Sequence, residues 1–310
     1  MEAKIFKTLD EQIEILKSKG LVVNDIEGAK EILFKENYFF VSGYRGLFMK
    51  DFRDRKFITG TTFEEMYAMF LFDRNIRNIM FKNILIVENN IKSIISYQLS
   101  KKYGFKEKDY LNPKNFTQDS LKTRQVKDVL NKMKRQVRVN VMQHSATLHY
   151  VNNYGYVPLW VLVKVLSFGI ISELYCILKP DDQFKIADVY NLDVRTLEVY
   201  LSILANFRNL CAHEDILFDH RTQRRIPNDI IHAHLSIPQQ DGEYIYGKND
   251  LFAVVIIMQY MLSHDEFHDF MQELDYEIKL LDAKIDVVPL STLLNKFGFP
   301  ENWKNIMDHK

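Results

Sequence analysis

The sequence predicts a mainly α protein, and three observations carry that expectation. Glycine and proline are scarce, 11 and 7 in 310 residues. Neither occurs between Gly60 and Gly104 or between Pro180 and Pro227, so nothing there breaks a helical ladder or demands positive φ. Within the first window Phe70, Ile76, Ile79, Met80, Ile84, Val87, Ile91, Ile94 and Ile95 recur at helical intervals, wide enough for a helix buried on most sides.

Taken in order, residues 1–60 read as two or three short helices, with Thr8 or Asp10 as the first N-cap. Residues 61–103 read as one long or broken helix, opened by Thr61 or Thr62 with Glu64 and Glu65 in its first turn. A polar segment containing Pro113 leads to a basic helix at about 118–150. Pro158 suits the start of an apolar helix ending near Lys179, and a last core helix covers about 193–213. The stretch "RTQRRIPNDIIHAHLSIPQQDGEYIYGKND" then breaks the pattern, and Asp241-Gly242 between short alternating stretches predicts a small hairpin. Helices resume at 249–281, and a short one closes the chain after Pro300. The implied division is an N-terminal helical region (1–60), a helical core (61–221) and a part with the hairpin and C-terminal helices (222–310), together one compact unit.

Composition narrows the function classes. Hydrophobic residues make up 47% of the chain, enough for a sizeable core. Lysine plus arginine and aspartate plus glutamate number 41 each, so no global field draws the chain onto a polyanion and any such binding must be local. Cys176 and Cys211 sit in apolar helical surroundings and read as buried free thiols. "MEAKIFKTLDEQIEILK" is charged throughout, unlike a signal peptide. The most apolar window, "LFAVVIIMQYML", spans 12 residues and is too short for a bilayer. A soluble, cytoplasmic protein without membrane contact is expected. No glycine-rich phosphate loop, nucleotide fingerprint or Ser–His–acid arrangement stands out, so no cofactor and no ATP use is expected.

One stretch resists a purely structural reading. In "LANFRNLCAHEDILFDH" (204–220), Arg208, Asn209 and His213 interrupt core-type residues. Asn206, Asn209 and His213 share one helical stripe, while Arg208 lies about 140° round from His213. The two meet through the reach of the arginine, through a helix end near His213, or across a dimer axis. The combination suits metal-free RNA cleavage. An imidazole titrates near neutrality, and a guanidinium offers a planar fork of donors to a phosphate acquiring charge. An arginine or histidine on an apolar helix is more often structural than catalytic, and spacing alone does not reverse that.

Arg208-Asn209-Leu210-Cys211-Ala212-His213 resembles the Arg-polar-x-x-x-His signature of HEPN ribonucleases. The surrounding chain resembles the bacterial abortive-infection Abi family, of the AbiD/AbiF type. That likeness runs through "LDEQIEILKSKGLVV", "YFFVSGYRGLFM", "GTTFEEMYAMFLFDRNIRNIM", "PLWVLVKVLSFGIISELY", "FRNLCAHEDILF" and "FGFPENW", in order along nearly the whole chain. It implies a HEPN-like helical bundle with an N-terminal helical extension, a homodimer, and an RNA-cleaving toxin in phage defence, restrained by an RNA or protein antitoxin. Arg208 and His213 take the catalytic positions and Asn209 the adjacent polar one. One position departs: family members often carry a basic residue three after the histidine, where this chain has Ile216, and Arg221, Arg224 or Arg225 would have to substitute.

Other constellations stand beside this one. Asp73 and Arg77 form an i,i+4 pair, and Arg77, Ile84 and Glu88 share a stripe that either lines the cleft opposite Arg208 and His213 or forms a solvated face. Asn206 belongs with the same candidate cleft, as does His149, although packing suits His149 equally well. Lys122, Arg124, Lys127, Lys132, Lys134, Arg135 and Arg138 supply phosphate contacts or merely a basic face, without interleaved aromatics for base stacking. His264 and His268 lack the glutamate directly after the first histidine that a zinc protease needs, and His232 and His234 alternate on a presumed strand; no metal is expected at either pair. Trp160 and Tyr154 read as core. The rival to an RNase is a non-catalytic RNA- or protein-binding helical module that senses infection.

Overall fold

The computed structural model describes residues 5–51, 55–140 and 143–308. Two helices come first, α1 (Leu9–Ser18) and α2 (Ile26–Glu36). Thr8, not Asp10, caps α1: its side chain accepts from Glu11 N, and the Glu11 carboxylate accepts from Thr8 N at 2.8 Å. A short helix (Tyr38–Val41) and a 3-10 turn (Ser42–Phe48) lead to an antiparallel pair, β1 (Met49–Asp51) and β2 (Lys56–Phe57). Strands this short leave no alternation in sequence, so the pair was not foreseen.

The axis of the molecule is α3 (Phe63–Tyr103), 41 residues without a break and about 60 Å long. Thr62 opens it, in a capping box with Glu65, and Gly104 at φ 95° ends it. Met80, Ile84, Val87, Ile91 and Ile95 are fully buried along its spine. After a one-turn helix (Glu107–Tyr110) come five longer ones: α4 (Thr123–Asn140), α5 (Ser145–Tyr154), α6 (Leu159–Val165), α7 (Phe168–Ile177) and α8 (Pro180–Ala187). The single basic helix expected at 118–150 is thus two, α4 and α5, and residues 141–142 between them lie outside the described residues. The apolar helix expected from Pro158 to Lys179 is also two. Leu166 turns extended, and the Ser167 hydroxyl accepts from Ile170 N to start α7, a cap hidden by the continuous apolar pattern. Next comes α9 (Val194–Ala212), capped by Asp193 through Arg195 N and Thr196 N.

The C-terminal part starts with a short helix (Ile230–His234), so His232 and His234 are helical and not on a strand. β3 (Gln239–Gln240) and β4 (Glu243–Tyr244) flank Asp241 and Gly242, both at positive φ as a tight hairpin turn requires. α10 (Leu251–Met261) and α11 (His264–Asp282) are the helices expected over 249–281. Ser263 separates them through a capping box with Glu266, which accounts for that acid beside His264. α10 is apolar on every face and buried throughout its first two turns. A helix α12 (Leu290–Lys296) and a 3-10 helix (Trp303–Asp308) complete the order, the latter being the short closing helix expected after Pro300.

α3 is sandwiched between neighbours: α9 and α6 pack on it, and so does α11, through Asn75 to Glu277 at 2.8 Å and Lys82 to Glu273. The buried Glu65 ties the chain's two ends together by accepting from Asp286 N and Val287 N. Cys176 and Cys211 are free and buried, and burial pushes both thiols up to about 12. Trp160 and Tyr154 depart from the expectation: they are 43% and 58% exposed. Each spends its hydrophobic face on other surface rings rather than on the core. Among the described residues no helix is long and apolar enough to cross a membrane.

Candidate active site

The site forms where the C-terminal end of α9 passes the middle of α3. Arg208 meets Glu88, and the segment after His213 meets Asp73, so the two helices run antiparallel. His213 is the C-cap of α9 and exposed, with its own N–H donated to Asn209 O. Glu214 follows at φ 57°, the left-handed C′ position, donating to Cys211 O, while Asp215 N donates to Leu210 O at 3.1 Å. These two bonds are the Schellman pattern. A non-glycine residue bears it here, so backbone strain is held directly beside the histidine.

Arg208 leans the other way, onto α3. Its guanidinium lies over the Phe81 ring, 5.5 Å from the centroid, and its Nε is 3.4 Å from Glu88 Oε2. That approach is a charge contact without hydrogen-bond alignment, and both atoms are buried with no other partner. Lys92 Nζ donates to the other oxygen, Glu88 Oε1, at 2.6 Å. A buried carboxylate between two cations leaves the cluster with one net positive charge. Among the described residues no acceptor engages the terminal nitrogens of Arg208, and its side chain keeps 29% exposure. The arginine is therefore held by its inner nitrogen and its aromatic contact, with its outer fork free for an anion.

The loop on the far side of His213 is held from beneath. Leu217 N donates to Asp73 Oδ1 at 3.2 Å, Tyr44 Oη donates to Asp73 Oδ2 at 2.8 Å, and Arg77 pairs with Asp73 while donating to Asp215 O at 3.3 Å. Asp73 and Arg77 are both buried, so the solvated-face reading of this strip does not hold. Burial pushes the Asp73 carboxyl up to about 6, against the opposing pull of Arg77 and the bonds from Tyr44 and Leu217. Ile216, in place of the basic residue, packs toward the N-terminal region: a Cβ on Gly43 would come within 2.7 Å of its Cδ1. A cavity of about 210 Å³ lies beside this loop, walled by Glu36, Phe40, Arg74, Arg77, Glu214 and Ile216.

The end of α9 thus meets α3 at two levels: Arg208 at Glu88, and the loop that follows His213 at Asp73 and Arg77, about 16 to 22 Å back along α3. Asn209 is exposed on the α9 stripe that leads to His213. Asn206, also exposed, is bonded to His220 at 2.6 Å and not to either member of the pair. His149 is not brought here: it sits on α5 with Asn153, Tyr150 and Tyr154. Lys127, Lys134, Arg135 and Arg138 are exposed on α4, which packs on α6 and α7 a layer out from Arg208. Lys132 is bound to Glu173 at 2.5 Å, and Arg221 donates to the carbonyls of His220 and Lys296. Arg224 is paired with Glu198, which leaves Arg225 as the exposed arginine of that group with neither an ion pair nor a side-chain hydrogen bond among the described residues. Sequence reasoning missed Lys92, Phe81, Tyr44 and His220. The Glu88–Lys92 spacing of four was the one available signal.

Among the described residues no group of three metal-ligand side chains occurs. A family model described as Abi-like protein matches residues 31–219, a span that contains every group in the cluster above. No curated protein and no solved structure gives a match.

Proposed function

Because the chain belongs to the Abi-like protein family, we propose that it is a metal-independent endoribonuclease of the HEPN type, a homodimeric toxin of abortive infection in phage defence. The observation that carries this reading is an anchored Arg208, its outer fork unoccupied, five residues before an exposed His213 at the end of the same helix. In the reaction, a ribose 2′-hydroxyl attacks the adjacent phosphorus and His213 handles the proton. The Arg208 fork stabilises charge on the non-bridging oxygens, and the bond to the 5′-oxygen breaks. The products are a 2′,3′-cyclic phosphate and a 5′-hydroxyl. A two-fold axis brings a second imidazole, so one partner takes the proton and the other returns it. Glu88 acts as a positioning residue for Arg208, and Asn209 contributes a polar contact beside it. The toxin character calls for restraint by an antitoxin, RNA or protein.

The test incubates wild type, Arg208→Ala and His213→Ala with RNA in EDTA and maps the new ends. Cleavage by wild type with cyclic-phosphate ends, lost in both variants, is expected. Activity that needs magnesium, or that survives in the double variant, overturns the proposal. The exposed cations of α4 favour the second reading, a non-catalytic RNA-binding module. That reading predicts host growth arrest unchanged in His213→Ala and lost on charge reversal of Lys127, Lys134, Arg135 and Arg138.

A further inference from the structure

A surface at the far end of α3 is left unexplained by the catalytic cluster. Beyond Tyr103, Phe105 packs at 5.6 Å from Tyr156 and 5.8 Å from Trp160, measured between ring centroids. Tyr154 continues the array, 6.3 Å from Tyr156 and 5.4 Å from Tyr150, and the Trp160 indole N–H reaches the Tyr150 hydroxyl at 3.4 Å. Two stretches distant in sequence, the end of α3 and the neighbouring α5 and start of α6, therefore build one contiguous aromatic surface. Core aromatics would be hidden, yet Phe105, Tyr154 and Trp160 are 38%, 58% and 43% exposed.

Exposed lysines stand beside these rings. Lys106 Nζ stands 5.0 Å from the Tyr156 ring centre, and one turn back Lys101 Nζ stands 5.7 Å from that of Tyr97, itself exposed. Neither ammonium is in an ion pair among the described residues, and of the acids nearby Asp182 has a cation of its own. Glu107 accepts from Val157 N at 2.6 Å, and Asp182 takes both Lys102 and the Tyr103 hydroxyl. Exposed rings with unpaired lysines beside them match what single-stranded nucleic acid demands: faces on which bases stack and cations that follow the phosphates. A protein partner would find the rings equally attractive but gives no reason for the unneutralised lysines.

We infer that Phe105, Tyr150, Tyr154, Tyr156 and Trp160, with Lys106, form a stacking surface for single-stranded RNA. It lies about 22 Å along α3 from Glu88, so it holds a substrate strand several nucleotides away from the scissile bond. The inference rests on the RNA-cleaving reading for its choice of ligand, and its test reads binding separately from cleavage. Full-length His213→Ala protein is titrated into a fluorescent single-stranded 12-mer RNA and into a duplex of equal length, at 50 and 200 mM salt. Single-strand affinity is expected to exceed duplex affinity and to fall with salt. Adding Tyr154→Ala and Trp160→Ala weakens it at least 10-fold, whereas Tyr154→Phe and Trp160→Phe preserve it, as stacking requires. Unchanged affinity in the alanine variant, or an equal loss for duplex, overturns the inference. So does a loss of self-association or protein capture with RNA affinity intact, which makes the surface a protein-docking site. If wild type cleaves RNA while the alanine variant binds normally, only the stacking surface fails. If binding behaves as stated but wild type never cleaves, only the nuclease fails.

Discussion

Glu88 offers the sharpest perturbation, because one buried carboxylate is assigned two duties that separate experimentally. Glu88 and Lys92 are 3% and 8% exposed, and Arg208 Nε sits 3.4 Å from the carboxylate. At an effective dielectric near 20, unit charges at that separation attract by about 5 kcal/mol. Desolvation of the carboxylate cancels much of this, so the relevant magnitude is that of breaking a buried pair from one side, about 3 kcal/mol. Glu88→Gln keeps the shape and removes the charge. It should lower stability by roughly that amount, a fall in Tm of about 6 °C by thermal denaturation. It should also slow RNA cleavage by about 10- to 100-fold, since an arginine displaced by even 1 Å loses its grip on the reacting phosphate. The double variant Glu88→Gln, Lys92→Met removes one of the stranded cations and should recover about half of the lost stability. Cleavage should stay low, because Arg208 is still unanchored. If Glu88→Gln matches wild type in both measurements, or if Lys92→Met alone slows cleavage as much as Glu88→Gln, the positioning argument is wrong.

Further predictions follow from the same geometry. Glu214→Gly, at φ 57°, removes a left-handed penalty and should raise stability by up to about 1 kcal/mol in a thermal melt; a lower Tm would contradict the strain assignment. Tyr44→Phe deletes the phenol donor to Asp73 and should cost about 2 kcal/mol, with faster hydrogen exchange at the Leu217 amide as the local marker. The buried Asp250, which accepts from Gly247 N and Ala253 N, is pushed by burial up to about 6. Its folded form holds the proton more tightly than the unfolded chain, where a carboxyl titrates near 3.9. Its contribution to stability is therefore fully present at low pH and is lost as pH rises from about 4 to about 6. Urea denaturation of Asp250→Asn against wild type should show the difference moving toward the variant by up to about 3 kcal/mol across that window; no movement refutes the assignment.

Local chemistry explains which features were legible in the chain. Thr62 with Glu65, and Asp193 before Val194, are cap signals that act over three residues, and they mark the helix starts found. The absence of glycine and proline allowed α3 to run unbroken, and the Arg208–His213 spacing together with its family likeness drew attention to the end of α9. Where Ser167 cuts a continuous apolar run, hydrophobic periodicity outweighed the cap in the sequence reading, and α6 and α7 were read as one helix.

By itself the sequence determined the mainly α class, several helix starts, and the residues with chemistry worth examining, because caps, breakers and i,i+4 spacing are properties of a few adjacent residues. Only the tertiary structure decided their company. The meeting of Arg208 with Glu88, the clamping of Leu217 by Asp73, and the emergence of Trp160 and Tyr154 at a surface all depend on helices docking across long stretches of chain. The rotational phase and antiparallel register of α9 on α3 come from the summed packing of whole faces, which no local pattern encodes.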